Sequence, residues 1–344
     1  MNRIIYLDII RVVAIVCVVI LHSASTFLYQ FNSIPVNNWQ IANIYDSAVR
    51  MSVPLFFMIS GVLFLKMKNE SLKVFFKKRF IKIFLSLMAW SFIYILFRKY
   101  ILNENVNIIK DFILSIIRKE YYHLWFIYTL LGIYLFIPIL KIIVKNSPRE
   151  LLYYYVVLFF ISNAIFPIFT DLLHFDIPNY LLMMQGFSGY LVLGYLLSSF
   201  TIRKKHFIFA IIIFILATIF TIYGTYYLTN LHGSFNDFFY RYTSISTIFQ
   251  SVGIFVVIKY IGEKYRDNIQ KTFLYTLISI LSLSSFGIYL IHPIIMWFLE
   301  HKIFKSLEIH TLLYIPLLAI LTFGLSFITI YLMKKIKLLQ WMVP

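Results

Sequence analysis

Near the start of the chain an aspartate, an arginine and a histidine, Asp8, Arg11 and His22, sit in a stretch that is otherwise hydrophobic as far as Tyr29. Ionisable residues inside a segment long enough to cross a bilayer are costly, and their default meaning is functional. At about 100° per residue, the steps from Arg11 to His22 return to within roughly 20° of the start, so the two share one helix face. They stand about 16 Å apart along the axis, which sets Arg11 near one membrane surface and His22 beyond the midplane. Asp8, three residues before Arg11, is spaced to pair with it. A neutral imidazole can take a proton from a hydroxyl, because its pKa lies near operating pH. The bland alternative for His22 is a hydrogen bond between helices. Arg11 on the same face favours chemistry, since two such groups need one shared polar cavity to look into.

Other candidates follow along the chain. Lys77-Lys78-Arg79-Phe80-Ile81-Lys82 is the densest positive cluster, with Arg79 and Lys82 on one face. Topology and anionic lipid alone account for such a cluster, and from spacing that explanation is the stronger one. The sharper alternative is a pocket in which Lys78, Arg79 and Lys82 hold a phosphorylated cofactor. Asp46 and Arg50, four apart, are expected to pair at the outer surface, where they could grip a substrate. His123 and Trp125 lie in the aromatic run Tyr121 to Phe126, and His292 falls inside a later span, before Pro293. These five are the candidate substrate-binding residues. The remaining histidines sit in loops or at helix ends. No metal-ligand spacing, Gly-rich phosphate loop or serine elbow is present in the sequence, so no metal is expected.

The elements that must position these residues are membrane helices. The chain has 344 residues, 61% of them hydrophobic and 13% charged, with a mean hydropathy of +0.85. Those values describe an all-α polytopic membrane protein and leave no room for a water-soluble domain. Apolar runs of about 20 residues predict ten spans, near 9–29, 47–65, 80–101, 123–144, 150–170, 180–200, 206–228, 241–261, 274–299 and 311–333. The ninth carries Ser279, Ser282, Ser284, Ser285 and Gly287, which could bend or shorten it. The outer loop 102–122 has an apolar stretch, 108–117, suited to a short interfacial helix. A single cysteine, Cys17, excludes a disulfide framework. Charged residues within the first span, and the many spans after it, argue against a cleaved signal peptide.

The net charge of +17 would suggest nucleic acid in a soluble protein, but here it sorts by side. With the N-terminus cytoplasmic, 22 of 31 lysines and arginines fall inside and nine outside. The asymmetry assigns an N-in, C-in protein, with membrane lipid and not nucleic acid as its polyanionic neighbour. No internal repeat or low-complexity linker breaks the chain, so residues 1–344 are expected to form a single domain.

Several of these stretches, taken in order, resemble the integral-membrane acyltransferase-3 family. They are Tyr6-Leu7-Asp8-Ile9-Ile10-Arg11 with His22 behind it, the block Val53 to Gly61, Arg79 with Lys82, His123-Leu124-Trp125-Phe126, and Gly287 to His292. Residues 41–43 and 47–50, leading into the proline block, look like the enterobacterial common antigen O-acetyltransferase branch. The resemblance implies a bacterial plasma-membrane enzyme that moves acyl groups, usually acetyl from acetyl-CoA, onto a cell-surface glycan or its lipid-linked precursor. It implies that Arg11 and His22 are an essential pair and that Arg79 with Lys82 binds acyl-CoA. The family usually has a second arginine where this chain has Lys82, which keeps the charge but loses the planar fork. A fused esterase-like domain found in many members does not follow Pro344, so transfer would finish within the membrane part.

Together these expectations give Arg79, Lys82 and Lys78 the CoA phosphates, Arg11 with Asp8 the acyl route, and His22 the acceptor hydroxyl. The main rival is a transporter or flippase for a glycan or small acid, since broken helices and buried histidines also serve transport. A sensing or uptake module is a third alternative. An abundance of Ile, Lys, Asn, Phe and Tyr hints at an AT-rich genome, so the acceptor need not be the enterobacterial glycan.

Overall fold

A computed structural model describes residues 3–67, 70–175 and 186–344. Among these residues every regular element is a helix and none is a strand. The first helix, α1 (Ile5–Leu28), crosses alone; α2 (Val36–Ala48) and α3 (Ser52–Leu65) together make the second crossing. Next, α4 (Leu72–Phe75) passes through a widened π turn at Phe76–Phe80 into α5 (Ile81–Tyr100). The short α6 (Ile108–Leu114) precedes α7 (Trp125–Asn146), and α8 (Arg149–Phe160) is prolonged by further π turns towards Leu172. Then come α9 (Ser188–Ser199), α10 (Lys204–His232), α11 (Ile245–Lys264), α12 (Arg266–Gln270), α13 (Phe273–Phe298) and α14 (Thr311–Lys335).

Among the described residues nine helical segments are long and apolar enough to cross a membrane. The sixth predicted span, 180–200, lies partly outside the described residues. Its described part is α9, whose C-terminal carbonyls at Leu197, Ser198 and Phe200 accept from Nζ of the buried Lys259. A cation there satisfies carbonyl groups that a helix end leaves open. Lys259 lies near the C-terminal end of α11, and Gly262 on the same helix packs against Tyr6 of α1. Helix α9 therefore brings the chain back to the end of the bundle where α1 begins. Arg3 there donates to the Ser279 carbonyl at 2.8 Å, Lys334 to the Leu283 carbonyl at 2.7 Å, and Ser86 and Trp90 of α5 to the Met342 carbonyl. The starts of α1, α5 and α13 and the end of α14 thus meet at one end, the parity that ten crossings require.

Two boundaries differ from the sequence expectation. The second crossing begins at Val36 and not near residue 47, because Pro35 opens α2 and a break at residues 49–51 is packed inside the protein, where α2 and α3 meet. Helix α13 is not shortened: it runs 26 residues, with its serines turned inward, where Ser282 bonds to Asp8 and Ser285 to the Ser282 carbonyl. The interfacial helix in the outer loop is present as α6, with Phe112 set edge-on against Phe92 of α5. Helix α1 occupies the centre, packed on α2, α3, α11, α13 and α14. Helix α10 turns rows of Ile, Leu, Phe and Tyr outward, as a lipid-facing helix must.

Candidate active site

The N-terminal half of α1 is tied to α13 by an ionic cluster. Asp8, 5% exposed, receives Arg3 Nε at 2.6 Å and Arg11 Nη1 at 3.3 Å. Ser282 Oγ donates to Asp8 Oδ1 at 2.6 Å and accepts from Arg11 Nη1 at 2.9 Å. One carboxylate therefore offsets two guanidiniums, and the serine bridges the helices. Asp8 anchors Arg11 and does not itself line a cavity, which makes it a positioning residue.

Arg11 lines a cavity of about 320 Å³ at the inner end, together with Lys78, Arg79, Lys82, Tyr134 and Tyr289. The π turn carries Lys78 and Arg79, and Lys82 follows one turn later, so the run predicted to share a face does converge. Among the described residues no aspartate or glutamate side chain lines this cavity. Arg79 is held by Glu70 and lies over the rings of Phe64 and Phe75 at 5.5 and 5.2 Å. Lys78 and Lys82 are exposed and make no ion pair with the described residues. The floor is apolar, formed by Phe56, Ile59, Leu63, Phe126 and Leu130. A slot of this kind suits an anion at the mouth and an uncharged arm inside.

His22 lies elsewhere. It lines a second cavity of about 460 Å³ at the outer end, with Arg50, Tyr122, Tyr242, Trp297 and Glu300 among its walls. The expectation of one cavity shared by Arg11 and His22 is not met. The physical reason is α13: Tyr289 and His292 fill the space where the two cavities approach. Tyr289 lines the inner cavity and donates its hydroxyl to the His123 carbonyl. The His292 ring lies 5.2 Å from that of His22 and 5.6 Å from that of His123. His292 Nδ1 is 2.7 Å from the Tyr289 carbonyl. A carbonyl only accepts, so Nδ1 carries the hydrogen and Nε2 of the neutral ring keeps its lone pair. That Nε2 has no hydrogen-bond partner among the described residues. His123, His292 and Tyr289 thus form a buried septum between the two cavities, with His22 packed against its outer side.

The other predicted substrate residues divide. Asp46 and Arg50 pair as expected, but inside the protein and not at its surface: Asp46 is 0% and Arg50 9% exposed. The break between α2 and α3 turns them inward. Arg50 stacks over Tyr240 at 4.0 Å, donates to the Tyr240 carbonyl at 3.2 Å, and reaches the outer cavity. His123 is buried against Tyr94, Tyr289 and His292 and lines neither cavity. Trp125 also lies behind the wall, stacked 5.5 Å from Tyr242, so it supports a cavity residue without facing the cavity. No group of three or more metal-ligating side chains occurs among the described residues.

Sequence reasoning missed Tyr122, Tyr242, Tyr289, Trp297 and Glu300. Tyr289 had a signal, since it precedes His292 by three residues and so shares its helix face. Glu300 had a weaker one, as a lone carboxylate at the end of an apolar span. Its orientation depends on the π turn at Leu299–Ile303, which shifts the helical register and cannot be read from periodicity. A family model described as an acyltransferase domain matches residues 4–331 of the chain. No curated protein and no solved structure matches it.

Proposed function

Because the chain belongs to this acyltransferase domain family, we propose that it is a membrane O-acyltransferase that moves an acyl group, acetyl from acetyl-CoA in the simplest case, onto a hydroxyl of a cell-surface glycan or its lipid-linked precursor. The observation that carries the proposal is the pair of chemically different cavities, one cationic with an apolar floor and the other bearing His22 among aromatic and polar walls. Lys78 and Lys82 are free to meet the donor's phosphates, while Arg79, already paired with Glu70, shapes the mouth. The inner cavity holds an acyl-pantetheine arm and leaves the nucleotide outside. In the outer cavity His22 takes the acceptor's hydroxyl proton as oxygen bonds to the acyl carbon. The carbon–sulfur bond breaks and CoA leaves as the thiol, so the step is balanced. The acyl end has to pass Tyr289, which makes that side chain the gate of the transfer.

The residues of the block 41–50, on which the resemblance to the enterobacterial common antigen branch rests, build the wall that carries Arg50. Tyr240 Oη donates to Asn43 Oδ1 at 2.6 Å, Ser47 Oγ to the same atom at 3.1 Å, and Gln250 Nε2 to the Ser47 carbonyl at 2.8 Å. We place the enzyme in a bacterial plasma membrane, with membrane lipid as its surroundings and acyl-CoA and the glycan as its partners.

Membranes carrying the protein are given radiolabelled acetyl-CoA, and label in glycan is counted with released thiol. His22→Ala should lower both by about 10²- to 10⁴-fold, the usual contribution of a general base. Unchanged transfer would refute the base assignment. A carrier would move its substrate with no thiol release, which separates the rival class in the same assay.

A further inference from the structure

Glu300 is an acidic group in the outer cavity to which the proposed chemistry gives no task. It is half-buried, lines the cavity that also contains His22, and makes no hydrogen bond or ion pair with the described residues. It stands in the π turn at Leu299–Ile303 that follows α13. Single π turns interrupting α-helices occur often at functional sites, because the extra residue re-aims the side chains after it. The opposite wall supplies Arg50, whose charge is already met by Asp46, although its Nε is buried and has no hydrogen-bond partner. The cavity's uncompensated charge is therefore a single negative one. Much of the remaining wall is aromatic. Trp297 is stacked against His301 at 4.5 Å and Tyr242 against Trp125 at 5.5 Å, so each is braced from behind. Tyr122, set edge-on to His22 at 5.1 Å, completes the approach.

Resting on the acyltransferase reading, we propose that this cavity is the acceptor subsite and that Glu300 selects an uncharged sugar, accepting hydrogen bonds from two neighbouring hydroxyls while the ring's apolar face lies on the aromatic wall. A sugar is amphipathic in this way, with C–H groups on one face and hydroxyls around its edge. An ionised carboxylate accepts bidentately and strongly from paired donors. The same charge repels an acidic sugar, since Arg50 is committed to Asp46, and a like charge in a partly desolvated site opposes binding. The volume of about 460 Å³ lies within the range of small-molecule sites.

The probes are methyl glucopyranoside and methyl glucuronide. Binding to the purified full chain in lipid nanodiscs is followed by saturation-transfer NMR, which needs no acyl donor and so stands or falls separately from the transfer reaction. The neutral glycoside should bind and the glucuronide should bind at least about tenfold more weakly. Glu300→Gln, which keeps the side chain's size and one acceptor, should weaken the neutral glycoside about tenfold and erase the discrimination. Trp297→Leu should weaken both glycosides equally and leave their ratio unchanged. Equal binding of the two glycosides to the unaltered protein, binding of neither, or a ratio unmoved in Glu300→Gln would overturn the proposal. Should Glu300→Gln fail to fold, Glu300→Asp, which withdraws the carboxylate by one methylene, must weaken the neutral glycoside and keep the glucuronide excluded.

Discussion

At the scale of single residues the site is built from groups that orient one another. Asp8 offsets both Arg3 and Arg11 and accepts from Ser282, so removing its charge leaves two guanidiniums without a counter-ion beside α13. Asp8→Asn should destabilise the protein by about 1–3 kcal/mol, less than the about 3–5 kcal/mol of a fully buried pair. The discount follows because the Arg3 and Arg11 side chains keep 33% and 26% exposure, and solvent screens them. Thermal unfolding of the detergent-solubilised protein measures the loss, and an unchanged midpoint would show that Asp8 is not the anchor. The His292 tautomer is fixed by the Tyr289 carbonyl. Its Nε2 lone pair lies in the septum beside His22, where it can accept a proton or hold the neighbouring imidazole. His292→Ala should cut acyl transfer by about 10- to 100-fold, because the ring packed against His22 no longer fixes its position. Because a merely structural histidine would leave the pH dependence alone, the decisive measurement is the pH–rate profile, whose acid limb should move in the variant.

At the scale of helices, the packing of α3 on α9 sets how closely the inner cavity wall and the returning chain can approach. A Cβ at Gly61 would lie 2.0 Å from the Leu191 carbonyl oxygen, and one at Gly194 would lie 2.3 Å from the Met58 carbonyl oxygen. Both obstacles are backbone, which cannot swing aside as a side chain can. Gly194→Val should therefore cost at least the upper end of the about 1–3 kcal/mol typical of overpacking, and folded yield by size-exclusion chromatography should fall sharply. Gly132 in α7 has open space around it and is the matched control. Gly132→Ala should be neutral or stabilising by about 0.5–1 kcal/mol, since alanine favours the helix. These close approaches also mark where the sequence could be read and where it could not. The hydropathy runs announced the spans, and the shared face of Arg79 and Lys82 announced their convergence, because each is a local, periodic signal. The inward Asp46–Arg50 pair, the septum at Tyr289 and His292, and the aim of Glu300 were not legible. Each depends on a helix break, a π turn or a neighbour distant in sequence, and none of these leaves a periodic trace.

At the scale of the whole molecule, the proposed chemistry needs donor and acceptor to come from opposite sides, and so depends on which end of the bundle faces the cytoplasm. The charge asymmetry puts the cavity lined by Lys78, Arg79 and Lys82 inside and the His22 cavity outside. Cys17 is the single cysteine and is buried in α1, so a new surface thiol can be read above a low background. In intact cells a membrane-impermeant maleimide should label Lys302→Cys, which follows α13 at the outer end, and should not label Lys271→Cys, which precedes α13 at the inner end. Both positions are exposed and neither lines a cavity, so activity should persist in both variants. Labelling of Lys271→Cys alone would invert the molecule. It would bring His22 to the cytoplasmic face and leave the lysine-rich mouth where no acyl-CoA is supplied. In that orientation the two cavities could not serve the proposed donor and acceptor, because a CoA thioester does not cross a bilayer by itself. The sidedness of one helix hairpin therefore tests the division of labour between the cavities without relying on any variant of the septum that separates them.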